Sequence, residues 1–224
     1  MNSKLHTSID HLVIAAPSLN AGVTYVYDTL GVMPQPGGTH VKMGTHNALL
    51  RLGSSTYLEV ISVNPELQKP DRPRWFELDK LSPTANPKLL TWVARTNNIR
   101  QATAISSMDF GAIGPMSRTE LNWLITIPSD GSLQCDGIAP SLIQWSGDLH
   151  PARKLFDVGC SLIRLEGFHS SAKLIHDTLD AIGFKGTFSV QQIDETESPH
   201  LAAYVQTPNG IRKLNNSFRQ YEHH

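Results

Sequence analysis

The chain has only two cysteines, Cys135 and Cys160, and they stand in no metal-binding or redox spacing. Zinc ribbons, dithiol redox chemistry and a densely cross-linked scaffold are therefore excluded. The plain reading is two buried thiols in a reducing compartment, with a single disulfide as the alternative. An excess of either charge is also lacking: 19 Lys and Arg face 20 Asp and Glu, for a net charge of -1. No basic stripe offers itself to nucleic acid or to an anionic membrane, so neither is expected as a partner. No apolar run approaches the roughly 18 residues of a membrane span, and MNSKLHTSID has no apolar core of signal-peptide length. The expected location is cytoplasmic. Absent as well are a Gly-rich phosphate loop with its lysine, a Gly-x-Ser-x-Gly elbow and a Cys–His pair at a useful spacing. Nucleotide hydrolysis and ordinary serine or cysteine hydrolysis are disfavoured accordingly. His223 and His224, at the extreme end, are set aside from site reasoning.

What is present is a repeat. Hydrophobic residues make up 40% of 224 positions, enough for a substantial core in one large or two closely packed domains. Ile9–Ala15 reads as a strand. Ser18 can cap a helix whose apolar face is Leu19, Val23, Val26, Tyr27 and Leu30, and Gly31 stops it. A short segment at Thr39–Met43 and strands at 47–52 and 56–63 follow. After a Pro-rich surface linker at about 64–87, packed down by Trp75 and Phe76, the order recurs. Lys88–Thr96 is a strand, Asn97 or Asn98 caps a helix through Ser107, and 110–117, 121–127 and 141–145 complete the set. Laying Ile9–Ala15 over Leu90–Thr96 and Tyr57–Ile61 over Leu142–Ser146 keeps every element in order. A weaker third copy runs through a strand at 161–167, a helix from Ser170 to Gly183, and strands at 187–193, 201–206 and 211–214.

The stretches IDHLVIA at 9–15, GGTHVKMGTHNALLRLG at 37–53, YLEVI at 57–61, MSRTELNWLIT at 116–126 and PSLIQWSGDLHPA at 140–152 resemble the glyoxalase-like branch of the vicinal oxygen chelate superfamily. That resemblance implies an α+β fold in which paired βαβββ modules form an open, cup-shaped sheet, with a C-terminal βαβββ-like segment. Residues 1–152 would form the two-module cup, and 153–224 would be an α+β segment packed on it.

The resemblance also implies where a site would lie. In metal-using members, the first and fourth strands of each module aim one side chain into the bowl. Those positions are His11 and Glu59 in the first module, suited to Zn, Mn, Fe or Ni, and Trp92 and Gln144 in the second. An indole N–H cannot coordinate a cation and an amide carbonyl is a weak ligand, so the metal pattern is incomplete. Glu59 lies between Leu58 and Val60 in a strand that reads as buried. There it needs a metal, a proton or a cation such as Arg51 or Arg118.

Strand alternation forbids His46 and Asn47 from both pointing inward, and Asn47 with Arg51 is the preferred pair. His40 is a candidate nitrogen ligand or an acid/base near neutral pH. Arg118 has the forked donors to hold a substrate carboxylate. Trp145 is either core or a stacking platform, and His150 can close the bowl edge.

Three functions follow. The first is a small-molecule enzyme of the lyase or isomerase kind acting on a carbonyl-bearing substrate in the cup, with Glu59 or His40 moving the proton. The second is a non-catalytic protein that sequesters a small molecule. The third is a metal-dependent dioxygenase, which needs two histidines and a carboxylate. A small-molecule ligand is the expected partner under all three, and a homodimer is open.

Overall fold

The computed structural model describes residues 4–215; His223 and His224 lie outside the described residues. Strand β1 (Thr7–Ala15) leads into α1 (Leu19–Leu30), followed by β2 (Gln35–His40), β3 (Thr45–Arg51) and β4 (Tyr57–Val63). The second module repeats this with β5 (Lys88–Thr96), α2 (Ile99–Ile105), β6 (Ala112–Arg118), β7 (Leu121–Ile127) and β8 (Ser141–Trp145). A short α3 (Pro151–Lys154) precedes β9 (Ser161–His169), α4 (Ala172–Ala181), β10 (Phe188–Gln192), β11 (His200–Thr207) and β12 (Gly210–Asn215).

The cap signals act where the sequence places them. Ser18 accepts a hydrogen bond from the Ala21 amide at 3.2 Å, and Gly31 closes α1 at φ 72°. Asn98 caps α2 by accepting from the Gln101 amide at 3.0 Å. At α4 the cap position is Ser171, whose side chain makes no capping bond; Ser170 lies one residue before it.

The two modules join in one eight-stranded sheet, ordered β2-β3-β4-β1-β5-β8-β7-β6. In each module the first and last strands run parallel, β1 beside β4 and β5 beside β8, and β1 pairs antiparallel with β5 at the seam. The sheet curls into a half-barrel until its two end strands, β2 and β6, approach one another. The third copy keeps the element order but not the pairing. Its own sheet is ordered β10-β9-β11-β12, so the strand after the helix, not the last one, runs parallel to the first.

Both faces of the large sheet are covered. The convex face carries Ile9, Leu12, Ile14, Leu58, Val60, Trp92 and Leu142. These pack under α1 and α2 and against the second sheet, in a core that also includes Leu165, Ile175, Leu201 and Val205. The concave face carries Val13, Ala15, Ile61, Val93, Trp123, Ile125 and Ile143. Against it packs the segment read as a surface linker. Trp75, Phe76 and Leu78 insert into the bowl, and Phe76 and Glu77 take left-handed φ values of 57° and 53° to do so. Such backbone costs about 1 kcal/mol or more per residue and persists only where packing over-determines it. Among the described residues, no helix is long and apolar enough to cross a membrane.

Candidate functional site

The site begins with an irregularity in β1. Against β5, Ile9 pairs with Ala94 and His11 with Val93, leaving Asp10 as an extra residue. In a regular strand Asp10 and His11 would face opposite sides. The bulge instead turns both toward the concave face, with Ile9 and Leu12 beneath. Asp10 is fully buried. Its Oδ1 accepts from His11 Nδ1 at 2.7 Å, and its Oδ2 accepts from Trp145 Nε1 at 2.9 Å and His150 Nε2 at 3.0 Å. Burial pushes this carboxyl up. The hydrogen bonds from His11 and His150, and the charges of those rings, outweigh burial and hold it well below the usual carboxylate range. His150 caps α3 by accepting the Ala152 amide at Nδ1, which leaves Nε2–H to donate to Asp10.

With Nδ1 bonded to Asp10, His11 presents Nε2 to Glu59 Oε2 at 3.6 Å. Glu59 Oε1 accepts from Asn47 Nδ2 at 2.5 Å. Asn47 Oδ1 accepts in turn from the Gly38 amide at 2.8 Å and Arg118 Nη1 at 3.0 Å. Two glycines make this approach possible. A Cβ on Gly37 would lie 2.1 Å from Asn47 Oδ1, and one on Gly38 would lie 2.6 Å from Arg118 Cδ. The Tyr57 ring stacks on His11 with centroids 4.5 Å apart. Burial first, and then the charges of Asp10 and Glu59, push the Tyr57 phenol well above its ordinary range.

His11, His40, Asn47, Tyr57, Glu59 and Arg118 thus share one cavity, walled by Trp75, Phe76, Trp123, Ile125, Ile143 and Trp145. About 350 Å³ of non-atom space lies among these side chains and over the mouth, open solvent included. The structure brings together His11, Glu59, Asn47, Arg118 and Trp145 from among the residues singled out by sequence. It places His150 behind the cavity, against Asp10.

Four expectations are corrected. Trp92 faces the convex core: it lies opposite Leu12, and its Nε1 donates to the Ile138 carbonyl at 2.9 Å. Gln144 also points away from the bowl and accepts the Ile99 amide at the start of α2. Laying β1 over β5 as regular strands missed the bulge at Asp10, and laying β4 over β8 slipped by one residue; each exchanges the faces. Thr91 and Val93 therefore flank Trp92 on the bowl side, and Ile143 and Trp145 flank Gln144. Arg51 shares the face of Asn47 but sits at the far end of β3, where it bonds the Gly53 carbonyl and pairs with Asp157 at 3.7 Å. His40 lines the cavity, but burial works against its protonated form near neutral pH. Burial, helped by the charges of Arg118, His11 and His46 and opposed by Glu59, pushes it down to about 4. It lies edge-on to Trp75 and faces Arg118 Nη1 with Nε2 at 3.4 Å.

Sequence reasoning missed Asp10, Tyr57, and the placement of Trp75 and Phe76 in the cavity wall. The signal for Asp10 was the one already applied to Glu59, a carboxylate in an apolar strand. The divalent metal implied by the resemblance fails on its donors. The first and last strands of the second module offer the bowl Val93, Ile143 and Trp145, none of them a ligand, leaving His11 Nε2 and Glu59 Oε2 as the strong donors at the expected positions. Glu59 is already bonded to Asn47, and Arg118 places a positive charge against His40. Among the described residues no three His, Cys, Asp or Glu side chains gather as a metal-binding group. Two strong ligands fall short of the three that catalytic zinc sites use.

A family model described as a glyoxalase-like domain matches residues 9–183. A hypothetical protein from Staphylococcus aureus has a similar structure, with a TM-score of 0.53 at 14% identity over 93% of this chain and 84% of its own. A mutant of 4-hydroxymandelate synthase from Streptomyces coelicolor scores 0.47 at 15% identity, over 93% of this chain and 62% of that one. A Streptomyces coelicolor methylmalonyl-CoA epimerase in complex with 2-nitronate-propionyl-CoA scores 0.39 at 18% identity, over 64% and 97%. At these identities the first likeness speaks to fold alone, and the other two carry no argument about this chain. No curated protein matches the sequence.

Proposed function

Because this chain belongs to the glyoxalase-like domain family and has the vicinal oxygen chelate fold, we propose that it is a small-molecule isomerase or lyase that moves a proton next to a carbonyl, without a metal. The observation that supports this is the array Asp10–His11–Glu59, with Glu59 Oε2 3.6 Å from His11 Nε2 at the floor of a walled cavity. Glu59 takes the proton from the carbon beside the carbonyl. Its Oε1 is held by Asn47, which aims Oε2 at the cavity. His11, its Nδ1 tied to Asp10, turns Nε2 toward the carbonyl oxygen and delivers a proton there as negative charge develops. An enediol or enol results; return of the proton to the neighbouring carbon completes an isomerisation, and loss of a leaving group completes an elimination. Asp10 stays ionised and keeps the ring in one orientation, a division of roles between two carboxylates set by environment.

The test is exchange of the α-proton in D2O, followed by proton NMR over a panel of small α-hydroxy ketones, hydroxy acids and keto acids. Wild-type protein should catalyse exchange for at least one of them. Glu59→Gln and His11→Asn should each lose roughly 100-fold or more, the range for removing a general acid or base. Saturable binding with no exchange in wild type would instead make the protein a sequestering binder.

A further inference from the structure

Arg118 is the cation of this cavity, and among the described residues it forms no ion pair with a carboxylate. Its Nη1 donates to the neutral Asn47 side chain and faces the neutral His40 ring, while Nε and Nη2 have no acceptor among the described residues. The two carboxylates nearby are bonded elsewhere: Asp10 accepts from three side chains and Glu59 is held by Asn47. A half-buried guanidinium with neutral neighbours and free donors presents a complementary field to an anionic group entering the bowl.

A second, independent observation comes from the inserted segment. The indole N–H of Trp75 is buried and has no hydrogen-bond partner among the described residues. Buried donors are almost always paired, and leaving one unpaired costs about 1–3 kcal/mol. Trp75 lines the same cavity, beside His40 and Arg118. A ligand oxygen entering this cavity would offer an acceptor to both Trp75 and Arg118.

The walls supply the rest of the description. Trp75 stacks on Phe76 with centroids 5.6 Å apart, and Trp123 lies 5.2 Å from Trp145. The Trp145 N–H is tied to Asp10, so that ring offers the cavity an apolar face. Flat walls of this kind favour a flat, unsaturated body over a bulky saturated one.

We propose that the substrate is a compact carboxylate on a planar, unsaturated or aromatic body, its carboxylate held by Arg118 and the Trp75 N–H. This rests on the proton-transfer reading only for the identity of the site, because binding is measured without turnover. The experiment is a calorimetric titration of the full chain with four probes: benzoate, 3-phenyllactate, lactate without a ring, and benzamide without a charge. Benzoate or 3-phenyllactate should bind at least tenfold more tightly than lactate and benzamide. Arg118→Gln should lower the aromatic carboxylates' affinity by tenfold or more while leaving benzamide within about twofold. Trp75→Phe should weaken the same carboxylates severalfold. Glu59→Gln should keep the ranking.

Equal binding of all four probes by wild-type protein overturns the proposal, and so does failure of both aromatic carboxylates to saturate at millimolar concentration. An Arg118→Gln protein that is folded by circular dichroism and binds unchanged also overturns it. The two readings fail separately. The expected ranking without α-proton exchange removes only the proton-transfer chemistry, whereas exchange confined to substrates lacking a ring or a negative charge removes only the substrate class.

Discussion

Asp10 and His40 are both buried beside the same cavity, and they respond to acid in different windows. The His40 pKa falls to about 4 from an ordinary 6.5, so the unfolded chain binds a proton there before the folded one does. Stability contributed by keeping His40 neutral is whole above 6.5 and is lost as pH falls toward 4, by roughly 3 kcal/mol at most. For Asp10 the folded value is depressed, so its contribution is present above the usual carboxylate range and is lost only in stronger acid. Urea unfolding from pH 7 to pH 4 should show the His40 slope, and His40→Gln should flatten it. Asp10→Asn should cost about 2–4 kcal/mol at pH 7, since it leaves two imidazoles facing an amide in place of a charge. An unchanged midpoint in that variant would mean the Asp10 network is not formed. At this scale Glu59 was singled out because a carboxylate in an apolar strand demands a partner, Asn47 by strand alternation, and His11 and Arg118 by the resemblance; the structure brings the four together. Asp10 shares the property of Glu59, but its role depends on a bulge that no pattern announced.

Elements were read well where a local signal marks their ends. Ser18, Gly31 and Asn98 bound their helices through hydrogen bonds or left-handed backbone, and β5, β7 and β8 start and end as expected. Register was harder. A sheet buried on both faces shows no alternation of apolar and polar residues, so a one-residue slip leaves no trace in the sequence. That is how Trp92 and Gln144 were assigned to the wrong face. The insertion of Trp75 and Phe76 was also hidden, because proline-rich composition describes a connection without saying what it covers. The glycine pair at 37–38 on β2 supports a prediction of its own. Gly37→Ala places a methyl against the Asn47 backbone and side chain and should cost about 1–3 kcal/mol. It should also reduce α-proton exchange, because Glu59 loses its fixed partner. A stable Gly37→Ala protein with full exchange would show that the Asn47 contact does not orient Glu59.

Across the whole molecule, one core joins the cup to the second sheet. Trp92 on the convex face packs 5.5 Å from Phe184 and 4.7 Å from Phe188, and the same cluster takes in Leu165, Ile175 and Val205. The described chain should therefore unfold in one transition, with far-ultraviolet circular dichroism and tryptophan fluorescence coinciding in urea. Two separated transitions would show that the second sheet is an independent unit. The cup gathers His11, Asn47 and Glu59 on one wall, from β1, β3 and β4, with His40 and Arg118 at the end strands and aromatic and aliphatic side chains opposite. Among the described residues, the one carboxylate lining the cavity, Glu59, and His11 beside it come from the first module, which is why proton transfer is proposed there. The most direct measurement is α-proton exchange by protein stripped with a chelator, compared with the same protein given Zn²⁺, Mn²⁺ or Ni²⁺. Full exchange is expected in the stripped wild type, with no gain on adding metal and loss in Glu59→Gln. Exchange that appears only with stoichiometric metal would contradict proton transfer without a metal.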